Sequence, residues 1–173
     1  MKKMNYILTF LIFSFSGNYI LSQNLDLTKK PKQEYLDSAK KIAIDVFENI
    51  KNRNYQEISE FIVESLGANW NESKKISQRN EYLSKFKIIG LNPPDGVYGD
   101  LNGYDLIDEG FLKGSDRLFR HTYITYHEGS FLIWEFRFYV DKNDNVNLHY
   151  IGWSDKNPFE YMSTPDMLLP RYN

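Results

Sequence analysis

Arg120, Glu135, Arg137 and His149 are the charged and polar side chains of this sequence most suited to forming one site. Two guanidinium heads on neighbouring strands can converge on a carboxylate or a phosphate. The same four residues also read as a cross-strand charge ladder on a half-exposed sheet. A third reading makes them part of a face used by a partner chain, because Ile133, Tyr139, Ile151 and Trp153 alternate beside them. A second set, His121, Tyr123, Trp134 and Tyr150, falls on the opposite, apolar face and forms a candidate ligand pocket. There His121 is either a general base with Tyr123 or Tyr150 as proton donor, or a neutral histidine bonded to a tyrosine hydroxyl.

Other chemistries find less support. His121 and His127 share a face but lie about 20 Å apart along an extended strand, too far to hold one ion, and His149 points to the other face. No metal site is expected. Asp105, Asp108 and Glu109 open a strand as solvated carboxylates, and strict alternation puts Asp105 and Glu109 on one face and Asp108 on the other. No nucleophile elbow, Walker loop, dinucleotide fingerprint or HExxH pattern occurs, so no cofactor is expected.

These residues need strands to hold them. Asp105–Leu112, Arg117–His127, Phe131–Val140 and Val146–Trp153 each alternate with period two. Glu128-Gly129 is a tight turn between the second and third, and Lys142-Asn143-Asp144 another between the third and fourth. Ahead of them, Tyr35, Ala39, Ile42, Val46 and Ile50 recur at helical spacing after Pro31. Asn54 and Glu57 start a second helix with Ile58, Phe61, Ile62 and Leu66 on one face, and Gly67 ends it. A third helix is predicted from Asn71 to Phe86, with Ile76, Leu83 and Phe86 inward. Gly90–Gly103 is a loop rich in Pro, Gly, Asn and Asp. Helices followed by an antiparallel meander make an α+β domain, with N-terminal helices on a curved sheet of four or more strands.

The turns set the register. A tight turn at Glu128-Gly129 brings Tyr123 opposite Trp134, His121 opposite Phe136, Thr122 opposite Glu135 and Arg120 opposite Arg137. At the second turn Asp144 tolerates a left-handed backbone, so Val140 meets Val146 and Phe138 meets Leu148. Continued without interruption, that ladder puts Phe136 opposite Tyr150 and Arg137 opposite His149. A slip of one residue would swap the faces of the last strand.

Composition bounds the rest. The chain has 173 residues, 42% of them hydrophobic and 16% aromatic, enough for one domain with a sizeable core. The net charge of −2 gives no basic excess for nucleic acid. Residues 1–22 read as a signal peptide: Lys2 and Lys3, an apolar run from Tyr6 to Phe15, then Ser22 before Gln23. Polar Ser14, Ser16, Gly17 and Asn18 interrupt that run, so cleavage is expected rather than a membrane span. The sequence has no cysteine, which excludes a lipoprotein anchor, disulfides and thiolate metal sites. The expectation is a bacterial exported protein, periplasmic or secreted, comprising one domain over 23–173 with an irregular tail from about 157.

The segment AIDVFENIKNRNYQEISEFI (Ala43–Ile62) resembles the opening of NTF2-like (cystatin-like α+β) domains, where one helix ends and another starts after a short linker. YVDKNDNVNLHYIGW (Tyr139–Trp153) resembles their final hairpin, although members usually carry Gly near the position of Asp144. The resemblance implies a conical fold with a pocket between sheet and helices, and by itself no activity. The sequence therefore points to an exported, non-enzymatic domain that binds a small apolar ligand or a partner protein. The alternatives are a small pocket enzyme of the isomerase or hydratase type with His121 as base, and a structural envelope protein that forms a homodimer through the sheet.

Overall fold

The computed structural model describes residues 26–156; the expected signal peptide and the expected irregular tail from 157 lie outside them. Three helices come first among these residues: α1 (Gln33–Lys51), α2 (Tyr55–Leu66) and α3 (Glu72–Gly90). Four strands follow: β1 (Leu101–Phe111), β2 (Leu118–His127), β3 (Phe131–Val140) and β4 (Val146–Ser154). They form one antiparallel sheet in the order β1-β2-β3-β4, with the helices on one face. The α+β class read from the sequence is the class of the fold.

The helices differ from their sequence pattern in rotation. α1 buries Ala43 and Phe47 more completely than Ile42. Phe47 pins α1 to the sheet, its ring 5.0–5.6 Å from those of Tyr104, Tyr123, Trp134 and Phe136. Edge-to-face contacts of this kind add specificity to the area buried. On α2, Ile58, Ile62 and Val63 are buried while Phe61 is 41% exposed, so Phe61 is no core residue. Asn54 does not cap α2 with its side chain, because its amide bonds Asn49 Oδ1 instead. Asn71 does cap α3: its Oδ1 accepts from the Lys74 N–H at 2.9 Å. α3 continues past Phe86 to Gly90, and Ile76, expected inward, is exposed.

The β2–β3 ladder has the predicted register, including Tyr123↔Trp134, Thr122↔Glu135 and Arg120↔Arg137. Leu132, Trp134, Phe136 and Phe138 then bury completely against the helices. Three register shifts break the alternation elsewhere, two in β1 (the first between Leu101 and Gly103) and one in β4. In β1 the ladder skips between Leu106 and Asp108, so Asp105 and Asp108 share the outer face and Glu109 faces His121 on the inner one. This corrects the strict alternation that paired Asp105 with Glu109.

The third irregularity is a bulge in β4. Asp144 takes the left-handed backbone (φ 62°), and Val140↔Val146 and Phe138↔Leu148 pair as expected. The ladder then shifts: Arg137 meets Tyr150, not His149, and Phe136 meets Ile151, not Tyr150. A bulge sets two residues against one and turns the rest of the strand over. Ile151 and Trp153 consequently face the core, and Tyr150 lies on the outer face, 41% exposed. Packing gives the reason. Trp153 places its ring 5.0 Å from Trp134 and 5.7 Å from Phe86, contacts that the unbulged strand would forfeit.

Candidate functional site

The outer face of the sheet carries a concavity of about 200 Å³, open to solvent at the end where β1 finishes and β2 starts. Phe111 at the end of β1, Leu112 just after it and Leu118 at the start of β2 wall it, while Phe119 and Phe138 border it with their rings buried in the core. Arg120, Arg137 and His149 line it as well. The lining is predominantly apolar, with a few polar groups at defined positions, as small-ligand sites are. Gly110 makes room within it. A Cβ there would lie 3.0 Å from Arg120 Nε, and Gly110 stands opposite Arg120 in the ladder.

Each arginine is oriented by a carboxylate. Arg120 donates from Nη2 to Asp108 Oδ2 at 3.0 Å, with the arginine side chain 9% exposed and the aspartate 46%. The β1 bulge is what turns Asp108 toward Arg120. Arg137 donates from Nε to Glu135, and its guanidinium carbon lies 4.4 Å from the centre of the Tyr150 ring. The Tyr150 hydroxyl in turn lies over Gly152, where a Cβ would come within 2.4 Å of it. Glu135 and the stacked ring thus hold the Arg137 plane from two directions, while its two Nη groups make no hydrogen bond among the described residues. The two arginines and two carboxylates cancel in formal charge. What the site offers is oriented donors beside an apolar wall.

The predicted polar group is therefore brought together: Arg120, Arg137 and His149 share the concavity, and Glu135 positions Arg137. The predicted pocket set separates. His121, Tyr123 and Trp134 lie in the core, whereas Tyr150 stands on the other side of the sheet. His121 has no exposed surface, its ring 5.5–6.2 Å from those of Phe119, Tyr123 and Phe138. Its Nε2 lies 3.2 Å from Glu109 Oε2, out of line for a hydrogen bond, and Lys40 Nζ holds the same oxygen at 3.1 Å. Burial pushes the imidazole pKa down to about 4 against the opposing pull of Glu109, so His121 is neutral at pH 7. Burial likewise pushes the Tyr123 hydroxyl up to about 12, with the Glu109 charge adding to it. His121 does not bond a tyrosine hydroxyl, as the plainer sequence reading had it; it packs among rings.

His127 also has a structural explanation. Its Nδ1 lies 3.0 Å from the Gly99 carbonyl, which can only accept, so Nδ1 carries the proton. Nε2 then accepts from the Thr125 hydroxyl at 3.1 Å, and Thr125 Oγ1 accepts from Trp134 Nε1 at 2.8 Å. This chain ties the loop before β1 to the centre of the sheet.

Sequence reasoning missed Phe111, Leu112 and Leu118 as walls, Asp108 as the partner of Arg120, and Tyr150 as the platform under Arg137. All five depend on the bulges or on the strand ends, which period-two alternation does not locate. Comparison with protein-family models, curated proteins and solved structures finds no match to the chain. Among the described residues, no helix is long and apolar enough to cross a membrane, and no three His, Cys, Asp or Glu side chains group as metal ligands.

Proposed function

We propose that this is an exported, non-enzymatic binding domain of the NTF2-like kind, and that its outer-face concavity takes a small apolar ligand. The apolar concavity of about 200 Å³ carries the reading, since cavities of about 150 Å³ accept benzene. The burial of His121 favours a binder over an enzyme that uses this residue as its base, because no substrate atom reaches a ring with no exposed surface. Titration with indole, followed by amide chemical shifts, tests it. Shifts centred on Phe111, Leu112 and Leu118 are expected, and Leu118→Trp, which fills the space, should abolish them. Export is tested by N-terminal sequencing of the protein from the cell envelope, with Gln23 as the expected first residue.

A second reading, a homodimer through the sheet, has its own observation. Leu118, Tyr126, Tyr139 and Tyr150 are each 40–43% exposed on the outer face. Four strands about 4.8 Å apart and about 30 Å long present on the order of 600 Å² per copy, at the low end for a specific interface. Such a dimer would be weak and concentration-dependent. Sedimentation velocity showing one monomeric species across the accessible concentration range would retire it.

A further inference from the structure

We infer that the ligand of this concavity is a small monocarboxylic acid with a compact apolar body, such as an arylalkanoic acid. The inference rests on the binding reading above and names the ligand class. Its carrier is Arg137. Glu135 holds the guanidinium at Nε and the Tyr150 ring lies 4.4 Å from its carbon, so the plane is fixed while both Nη groups are left to donate at the rim. A pre-organised guanidinium edge matches the two oxygens of a carboxylate. The apolar surface at Phe111, Leu112 and half-exposed Leu118 takes the body of the molecule.

Charge and size narrow the class. Glu135 and Asp108 already balance Arg137 and Arg120, so there is no surplus positive charge for a dianion. A phosphate monoester would meet two nearby carboxylates, whereas a single carboxylate meets the same donors with half the repulsion. About 200 Å³ accepts one ring with a short acidic arm, not a long acyl chain or a nucleotide.

The test compares three probes on the full-length chain by NMR-detected titration: 3-phenylpropionate, 3-phenylpropan-1-ol and phenyl phosphate. The acid should bind about tenfold more tightly than the alcohol, the increment of charge-assisted hydrogen bonds at a partly solvated site. Phenyl phosphate should bind more weakly than the acid. Arg137→Gln should remove the preference for the acid, with an unchanged amide spectrum away from the concavity confirming the fold. Arg137→Lys keeps the charge without the planar edge and should lose most of the preference too. Equal affinity for acid and alcohol in the unsubstituted protein would overturn the acid class while leaving the apolar concavity standing. Binding of none of the three would overturn both readings. Retention of the preference in Arg137→Gln would show that another group selects the acid.

Discussion

Arg137 lies over Tyr150, its guanidinium carbon 4.4 Å from the ring centre, because one extra residue in β4 puts the two side chains opposite each other on the outer face. Without that residue Tyr150 would face Phe136 in the core, and Arg137 would stand opposite His149. The platform that orients the arginine and the core contacts of Ile151 and Trp153 are thus two results of one bulge. A cation over an aromatic face contributes about 0.5–1 kcal/mol at an exposed site, enough to hold a side chain but not a fold.

The bulge predicts unequal costs for neighbouring substitutions. Ile151→Ala should destabilise the protein by about 2–4 kcal/mol, because Ile151 is buried in the core. Tyr150→Ala should cost about 1 kcal/mol or less. Urea denaturation of the two variants measures this. The reverse order would mean that β4 pairs without the bulge.

The two arginines should also differ. Arg137 is 41% exposed and Glu135 24%, so Arg137→Gln should change stability by less than about 1 kcal/mol. Arg120 is 9% exposed and packs its stem into the sheet, so Arg120→Ala should cost about 2 kcal/mol through lost packing as well as lost charge. Equal losses from thermal or urea unfolding would contradict the exposure assigned to them.

His121 should make stability depend on pH. Its pKa is about 4 in the fold and about 6.5 in the unfolded chain, so between these values the unfolded state holds more protons. Stability is therefore fully present above about pH 6.5 and falls as pH drops toward 4, by on the order of 2–3 kcal/mol from this group. The groups facing the imidazole are Glu109 of β1, Lys40 of α1 and Tyr123 beside it on β2. Lys40 is held on Glu109, so the imidazole is not compensated by a free carboxylate. His121→Phe should flatten this part of the curve while leaving the contribution of His127, whose pKa burial also lowers. Parallel curves for both proteins would refute the assignment.

Thr125 links Trp134 to His127 at the centre of the sheet. Thr125→Val keeps the shape but leaves Trp134 Nε1 and His127 Nε2 buried without that partner, which should cost about 2–3 kcal/mol. Thr125→Ser keeps the hydroxyl and should cost about 1 kcal/mol, for one methyl group. Equal destabilisation by the two would indicate that packing, not the hydrogen-bond chain, is what Thr125 supplies.

The sequence by itself determined the parts of this fold that follow from local rules. Alternation and the Glu128-Gly129 turn set the β2–β3 register, so Arg120 and Arg137 were legible as opposite neighbours. The short polar turn set Asp144 in its left-handed conformation and the first pairs of the last hairpin. Tertiary structure alone decided the bulges at Ile107 and His149, and with them the partners of both arginines. A bulge has little local signature, because one inserted residue suits a strand almost as well as none. Its position is chosen by which side chains then fill the core. Here Trp153 against Trp134 and Phe86, and Ile151 opposite Phe136, outweighed Tyr150 in the same space, and that competition takes place between segments far apart in the chain.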